Sequence, residues 1–217
     1  MTLTPRERLR TALSHHEPDR VPFDLGSTQV TDAGLAHLSR LTELRSLSLS
    51  GTQITDAGLI QLRRLSKLRE LSLSGTNITG AGLPQLRGLA HLDDLGLAGT
   101  QVNDDALAHL TGLPQLRELT LGHTSITDAG LVHLSELSEL RELSLCETEA
   151  SDAGLLQLQN LTSLRRLNLD TSGITDSGLA HLRGLRQLET LSLKHTAVTM
   201  PGIEQLQESL PNTRITR

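Results

Sequence analysis

Leucines recur along the chain at a fixed spacing, and polar residues separate them in the same order each time. One complete unit is residues 44–67, LRSLSLSGTQITDAGLIQLRRLSK. Its first leucine recurs every 24 residues, at Leu44, Leu68, Leu92, Leu116, Leu140, Leu164 and Leu188. A fixed period of this length predicts a solenoid, in which each unit buries its apolar side only against its neighbours.

Each unit contains a strand pattern followed by a helix pattern. Leu47 and Leu49 alternate with polar residues, which is typical of a short strand. Leu59, Leu62 and Leu65 then recur three apart, which places them along one side of a helix. We expect Thr55 or Asp56 to cap that helix. We also expect a left-handed residue to end it, in the column Gly88, Gly112, Asn160 and Gly184.

Strand then helix within one period predicts an α/β fold. The predicted architecture is a right-handed, curved solenoid with parallel strands on the concave face, helices on the convex face, and about eight units. A column of hydroxyls follows the strands, and we interpret it as a structural ladder that hydrogen-bonds buried backbone groups. Its members are Thr28, Thr52, Thr76, Thr100, Thr124, Thr148, Ser172 and Thr196.

The unit can be written LxxLxLxxTx(I/V)TDAGLxxLxxLxx. Across residues 21–217 this pattern resembles the leucine-rich repeat family, specifically its TDxGL variety near the cysteine-containing subclass. Phe23 takes the place of Leu47, and Ile215 falls in the column of Leu191. Two units are irregular, and both predict a slightly wider joint. In one, Asn103 to Ala106 replace TDAG, and in the other, Glu149-Ala150-Ser151 places a smaller residue where Ile or Val is usual.

The two ends of the chain predict caps. Thr4, Pro5 and Glu7 are typical of a helix start, so we expect residues 1–20 to form a capping helix and linker. Residues 21–217 are then the repeat domain, closed by a carboxyl-terminal cap at about 200–217. Residues 4–28 also resemble the amino-terminal segment of the uroporphyrinogen decarboxylase and corrinoid methyltransferase-like family. In that family the segment leads into a TIM barrel, whereas here it leads into repeats, so no catalytic residue is carried over.

Composition excludes several classes of function. The 217 residues carry a formal net charge of −5, and Phe23 is the only aromatic residue. A general nucleic-acid binder needs a basic footprint and benefits from aromatic stacking, so we expect no nucleic-acid partner. Cys146 is the only cysteine, which rules out an intrachain disulfide and suits a reducing compartment.

The charged start MTLTPRERLR is unlike a signal peptide, and no apolar run suits a membrane span. We therefore expect a soluble, cytoplasmic, monomeric protein without membrane contact, cofactor or metal.

The candidate binding surface is the concave sheet. A strand that buries Leu47 and Leu49 presents Ser46, Ser48 and Ser50 outward, and the same columns become charged in later units. Four consecutive carboxylates stand in the first column, an arrangement that is unfavourable unless something binds it. The predicted partner-binding residues are Glu70, Asp94, Glu118, Thr120, Glu142, Ser144, Cys146, Arg166, Asn168, Asp170 and Lys194.

Two interpretations of this surface remain open. In the first, a shallow acidic trough accepts a basic or extended segment of another protein. In the second, the face is merely solvated, and its carboxylates are balanced by the neighbouring Arg69, Arg117, Arg141 and Arg165. A cluster of polar side chains lies near the carboxyl ends of the strands: His123, Cys146, Glu147, Asp170, Lys194 and His195. Cys, His and Asp together also suggest a nucleophile or a metal site, although an open sheet offers no closed pocket.

The resulting hypothesis is a non-enzymatic module that binds another protein or peptide through its concave face, as resemblance to the leucine-rich repeat family implies. A related alternative is the substrate-recognition subunit of a larger ubiquitin-ligase-like or signalling assembly. An alternative of another class is a remnant or fusion of a decarboxylase- or methyltransferase-like enzyme that retains no active site.

Overall fold

The strands form one parallel sheet in which every strand pairs with the next strand in sequence. The computed structural model describes residues 30–217 and the backbone of residues 23–24. Pairing joins residues 24 positions apart throughout, such as Leu47 with Leu71 and Leu143 with Leu167. This confirms the predicted solenoid and its period. The strands are β1 (Phe23–Asp24), β2 (Ser46–Ser48), β3 (Glu70–Ser72), β4 (Asp94–Gly96), β5 (Glu118–Thr120), β6 (Glu142–Ser144), β7 (Arg166–Asn168), β8 (Thr190–Ser192) and β9 (Arg214–Thr216).

The outer side of the sheet carries short helical segments, many of them 3-10 rather than α. A 3-10 helix has three residues per turn, so leucines spaced by three fall on one side of it. This is the spacing of Leu59, Leu62 and Leu65, which are all fully buried. The α-helices are Asp32–Leu35, Asp104–Leu107, Asp128–Leu131, Asp152–Leu158, Asp176–Leu179 and Met200–Ser209. The 3-10 helices are Ala36–Arg40, Gly58–Arg64, Leu83–Gly88, Leu110–Gly112, Val132–Glu136 and Ala180–Leu182.

The core is one continuous column of aliphatic side chains between the sheet and the helical segments. Its buried members run from Val30 to Leu210, and most of its leucines have no exposed surface. Burying one such side chain stabilises the fold by about 1.5–3 kcal/mol. Both ends stay in register: Phe23 pairs with Leu47, and Ile215 pairs with Leu191 and packs against the core.

The hydroxyl column hydrogen-bonds the backbone, as predicted, but inside each unit and not as a ladder between units. The Thr52 hydroxyl donates to the carbonyl of Leu49 at 2.6 Å. The later members repeat this bond to the leucine three residues before them, and Thr28 lies outside the described residues. These later members are Thr76, Thr100, Thr124, Thr148, Ser172 and Thr196.

The aspartates at the start of the helical segments link neighbouring units, a role that the sequence did not reveal. Asp152 accepts two hydrogen bonds from Thr175 of the next unit, from its backbone N–H at 2.8 Å and its hydroxyl at 2.5 Å. The sequence predicted that either the threonine or the aspartate caps each helix. In the helix Asp176–Leu179 the threonine is the cap, because the Thr175 hydroxyl accepts from the N–H of Ser177. The same link joins Asp32 to Thr55, Asp56 to Thr79, Asp104 to Thr127, Asp128 to Ser151 and Asp176 to Thr199.

The glycine of the TDAG motif makes room for this link. A Cβ on Gly178 would lie 2.3 Å from Oδ1 of Asp152, so a larger residue would displace the carboxylate. At the last of these links, hydrogen bonds from the Thr199 side chain and backbone lower the pKa of Asp176 below its ordinary value.

The joint between the unit that contains Gly80 and the unit that contains residues 103–106 lacks this aspartate link, but the sheet beside it is unchanged. Gly80 stands where an aspartate is usual, and Ala106 stands where the glycine is usual, so the two residues face each other closely. Asn103 caps its own helix by accepting from the N–H of Ala106. The backbone bond from Gln101 to the Ile78 carbonyl keeps the 2.9 Å length of its counterpart one unit earlier. The joint is therefore chemically different from the others without being wider.

Left-handed residues occur after the strands and not at the ends of the helices. Gly51, Gly75 and Gly99 have φ of 65–67°. The same column of later units contains non-glycine residues that also have a positive φ, of 53–57°, namely His123, Glu147, Thr171 and His195. Among the described residues, none of Gly88, Gly112, Asn160 and Gly184 has a positive φ. The prediction for that column is wrong, because the helical segments end in 3-10 turns that hydrogen-bond to the third residue back.

The carboxyl-terminal end contains the longest helix and the last strand. Thr199 caps the helix Met200–Ser209, with its hydroxyl 3.4 Å from the N–H of Gly202. The Thr213 hydroxyl donates to the carbonyl of Leu188, which ties the last turn to the preceding unit. The predicted capping helix at residues 1–20 lies outside the described residues, as does the decarboxylase-like segment apart from the backbone of 23–24.

The link between units predicts a measurable coupling between Asp152 and Gly178. Replacing Asp152 by Ala should lower the free energy of unfolding by about 2 kcal/mol, because two hydrogen bonds to a carboxylate are lost. Gly178→Ala should cost about 1–3 kcal/mol, because its Cβ collides with that carboxylate. In the double variant the collision is gone, so urea unfolding should show a loss smaller than the sum of the two.

Gly184→Ala is the matched control in the same unit. The nearest atom to its Cβ would be 3.9 Å away, so stability should stay unchanged or rise by up to about 1 kcal/mol. Strict additivity of the Asp152 and Gly178 losses would contradict the assigned contact.

Candidate functional site

The first outward column of the sheet brings the predicted carboxylates side by side. Glu70 is paired with Asp94, Asp94 with Glu118, and Glu118 with Glu142. Neighbouring strands lie about 4.8 Å apart. Beyond Glu142 the column continues with Arg166, Thr190 and Arg214. The column thus changes from acidic to basic along the solenoid.

A groove of about 400 Å³ lies on the strands of the carboxyl-terminal half, β5 to β9. Six of the predicted binding residues line it: Glu118, Thr120, Glu142, Ser144, Arg166 and Asn168. The other five do not: Glu70, Asp94, Cys146, Asp170 and Lys194. The groove also includes four residues that the sequence interpretation missed, Thr190, Ser192, Arg214 and Thr216. Extending the outward columns by one more unit, to the strand that contains Ile215, would have found two of them.

Ion pairs settle how the charges of this face are balanced. Arg166 pairs with Glu142. Two of the four arginines proposed to neutralise the column pair elsewhere, Arg69 with Asp93 at 3.5 Å and Arg165 with Glu189 at 3.1 Å. The other two, Arg117 and Arg141, form no ion pair within residues 30–217. Within residues 30–217 no ion pair includes Glu70, Asp94 or Glu118, so one stretch of the column keeps three uncompensated carboxylates.

Asp94 has a raised pKa in this row of carboxylates. Burial, together with the charges of Glu118, Glu70 and Asp93, raises the pKa of Asp94 to about 6. Asp94 therefore takes up a proton at about pH 6, well above the ordinary pH for an aspartate, and a cation brought close to the column would lower that pKa.

The other outward columns differ between the two halves of the molecule. In the amino-terminal half the serines bond each other, with Ser50 Oγ and Ser72 Oγ 2.6 Å apart. In the other half Asn168 accepts from the backbone N–H of Asp170, and Asp170 accepts from that of Lys194. These two predicted site residues thus hold strand ends in place in addition to facing outward.

The side chains proposed as a nucleophile or a metal site lie at the carboxyl ends of neighbouring strands. The half-buried Cys146 packs over Gly122, where a Cβ would come within 2.5 Å of its Sγ, and Ser144 Oγ lies 3.5 Å from that sulfur. His123 Nδ1 lies 3.0 Å from Glu147, and both side chains are about half exposed. In the part of the chain that the structure describes, no three His, Cys, Asp or Glu side chains form a group that could hold a metal ion.

Comparisons with known proteins agree with this architecture. A family model described as "Leucine-rich repeat region" matches residues 27–216. A search of curated protein sequences finds no match. The resemblance of residues 4–28 to a decarboxylase- and methyltransferase-like segment has no counterpart in these results. None of the described helices has the length and apolar character of a membrane span.

Three solved structures illustrate the similarity. Internalin C2 of Listeria monocytogenes is 30% identical, with a TM-score of 0.70 over 89% of this chain and 78% of that one. The internalin inlF of the same organism is 22% identical, with a TM-score of 0.64 over 89% of this chain and 57% of that one. The plant peptide hormone receptor RGFR1, solved in complex with RGF2, is 18% identical, with a TM-score of 0.59 over 88% of this chain and 35% of that one. The last two similarities show the fold alone.

The raised pKa of Asp94 predicts a pH-dependent stability. Because its pKa is about 6 in the folded protein against an ordinary 3.8, the protonated form is favoured by folding. That contribution is fully present below pH 3.8 and is lost as the pH rises through 6. Asp94→Asn should therefore match the wild type at pH 4 and exceed it by about 1 kcal/mol at pH 7.5, allowing for solvent screening.

Urea unfolding at the two pH values measures this difference. Glu136→Gln, an exposed carboxylate at the end of an outer helix, is the control and should follow the wild type at both. Equal stability of Asp94→Asn and wild type at pH 7.5 would show that the carboxylates do not repel one another.

Proposed function

Since the chain belongs to the leucine-rich repeat family, we propose that it is a non-enzymatic interaction module that binds a segment of another protein along its concave face. The observation that carries this proposal is the row of Glu70, Asp94 and Glu118, which have no ion pair within residues 30–217 and lead into the groove. Like charges across neighbouring strands destabilise a sheet. A bound cation would relieve that repulsion, so the row favours a ligand over bare solvent.

The segment that fits this surface is extended and carries a basic side chain. An extended chain advances about 3.3 Å per residue, so about seven residues span the distance from Asp94 to Arg214, which is five strand spacings of about 4.8 Å. A lysine or arginine near one end would lie over Asp94 and Glu118. The hydroxyls of Thr120, Ser144 and Ser192 lie along the groove and supply hydrogen-bond partners for a backbone.

Each half of the sheet contains a pair of hydroxyls that hydrogen-bond each other, Ser50 with Ser72 in the amino-terminal half and Ser192 with Thr216 in the groove. Thr190 and Arg214 also line the groove, and among the described residues they belong to neither an ion pair nor a side-chain hydrogen bond. Their polar groups are free to exchange water for a ligand.

A role as the recognition subunit of a larger assembly is compatible with the same surface. In that case the convex side would hold the rest of the assembly while the groove holds the substrate. The groove is the common element, and the cytoplasm is the compartment that the single cysteine suits.

Charge reversal at the acidic stretch tests the binding face. The double variant Asp94→Lys with Glu118→Lys should lose binding by at least tenfold, because it places two cations where the ligand's cation lies. The matched control, Glu136→Lys with Glu139→Lys, makes the same change of net charge on exposed residues at the outer side. Proteins retained from a cell lysate by immobilised full chain and its variants are compared first, and the Kd of each purified candidate follows.

Loss of binding in the control but not in the concave variant would place the interface on the outer side. Equal binding by all three proteins would contradict the proposal.

Binding of a basic segment should also weaken as the pH falls below 6. Protonation of Asp94, whose pKa is about 6, removes a negative charge from the contact. We expect Kd to rise about two- to fourfold between pH 7.5 and 5.5, and Asp94→Asn to flatten that dependence while binding more weakly at pH 7.5. A Kd that falls on acidification would indicate an acidic ligand instead.

A further inference from the structure

The loop that follows each strand places one residue in the left-handed conformation, and the residue type changes halfway along the solenoid. After β2, β3 and β4 the residue is glycine, with φ of 65–67°. After β5 to β8 it is His123, Glu147, Thr171 or His195, with φ of 53–57°. We call these four side chains the left-handed rim.

The change cannot be explained by the backbone, because the loops after β2 to β8 all impose a positive φ of 53–67°. Glycine adopts this conformation at no steric cost, whereas a residue with a Cβ is strained there. A β-branched residue such as Thr171 is a particularly rare occupant. Strained residues persist where the surrounding structure holds them, and they concentrate at binding sites.

The rim coincides with the groove. The four strands that precede rim residues, β5 to β8, all line the groove, and the three strands that precede glycines contribute no lining residue. All four rim side chains are exposed, and His123 Nδ1 lies 3.0 Å from the Glu147 carboxylate. From β2 to β8, in the part of the chain that the structure describes, side chains thus replace glycine along the edge of the groove.

The rim also ends in positive charge. Lys194 and His195 follow β8, are exposed, and are in no ion pair within residues 30–217. Arg214 lies on the next strand, in the groove. The surface therefore has an acidic end at Asp94 and Glu118 and a basic end at these three residues.

We propose that the left-handed rim is a second contact line for the segment bound in the groove, and that its basic end binds a carboxylate of that segment. This inference rests on the proposed function. The ligand is then an extended protein segment with a basic residue near one end and an acidic residue about six positions away. Its basic group lies over β4 and β5, and its carboxylate lies over β8 and β9.

Glycine substitutions separate binding from stability. The variants His123→Gly with Glu147→Gly, and Thr171→Gly with His195→Gly, remove the strain and the side chains together. The matched control is Ser125→Gly with Glu149→Gly, two exposed residues in the same loops whose φ is not positive. Thermal unfolding of the rim variants should show Tm raised by a few degrees, whereas the control should be unchanged or lower.

The ligand probe is a phage-displayed library of linear 12-residue peptides selected on the full chain. Enriched peptides are synthesised, and their Kd is measured by fluorescence anisotropy. We expect a basic residue and an acidic residue about six positions apart, at least tenfold weaker binding to each rim variant, and a change below twofold for the control. Replacing the peptide's Asp or Glu by Asn or Gln should weaken binding to the wild type at least fivefold.

The outcomes separate the two proposals. Peptides that bind the rim variants within twofold of wild type but lose binding to Asp94→Lys with Glu118→Lys would overturn the rim and leave the groove. Peptides that bind that concave variant as well as wild type would overturn the proposed function. No enrichment at all would overturn both. A dimer in solution that the rim variants dissolve would assign the rim to a second copy of this chain and not to a ligand segment.

Discussion

Every residue of the sheet lies beside its own counterpart one unit away, because parallel pairing joins positions 24 apart. The leucines can be buried only in this register, since a slip of one residue would turn them to the outer face. The same register also places the equivalent outward-facing side chains of neighbouring units side by side. A serine repeated in the column becomes a row of hydroxyls, and a carboxylate repeated in the column becomes a row of negative charge about 4.8 Å apart. The chemistry of the surface is therefore set by columns and not by single residues.

The fold could be predicted almost completely from this regularity. The columns of Leu47 and Leu49, the in-register start at Phe23 and the pairing of Ile215 with Leu191 all follow from spacing alone. The contacts that the sequence did not reveal are those in which one unit acts on the next. Asp152 resembles a cap for its own helix, yet its carboxylate binds Thr175 of the following unit. Glycines near helix ends suggested left-handed residues, although glycines after the strands, such as Gly51, hold that conformation.

The candidate site was predicted in part for the same reason. Alternation identified which side chains face outward, so Glu118, Glu142 and Arg166 were found. The alternation could not determine which charges neutralise each other, because long side chains can reach oppositely charged groups on neighbouring strands and in neighbouring columns. Arg165 pairs with Glu189 and leaves the acidic row alone, whereas Arg166 neutralises one member of it. The groove consequently lies further toward the carboxyl end than the row of carboxylates alone indicated.

The Gly80 and Ala106 joint gives the solenoid an internal boundary. In repeat proteins, cooperativity depends on the coupling between nearest neighbours, and this joint lacks the aspartate link that connects the other units of the described chain. Unfolding that begins at the amino-terminal end meets its weakest coupling there. Strands β5 to β9, with the whole groove, lie on the far side of that boundary. Fraying of the amino-terminal half therefore stops before it reaches the groove. The backbone amides of β5 to β9 should exchange their hydrogens more slowly than those of β2 and β3.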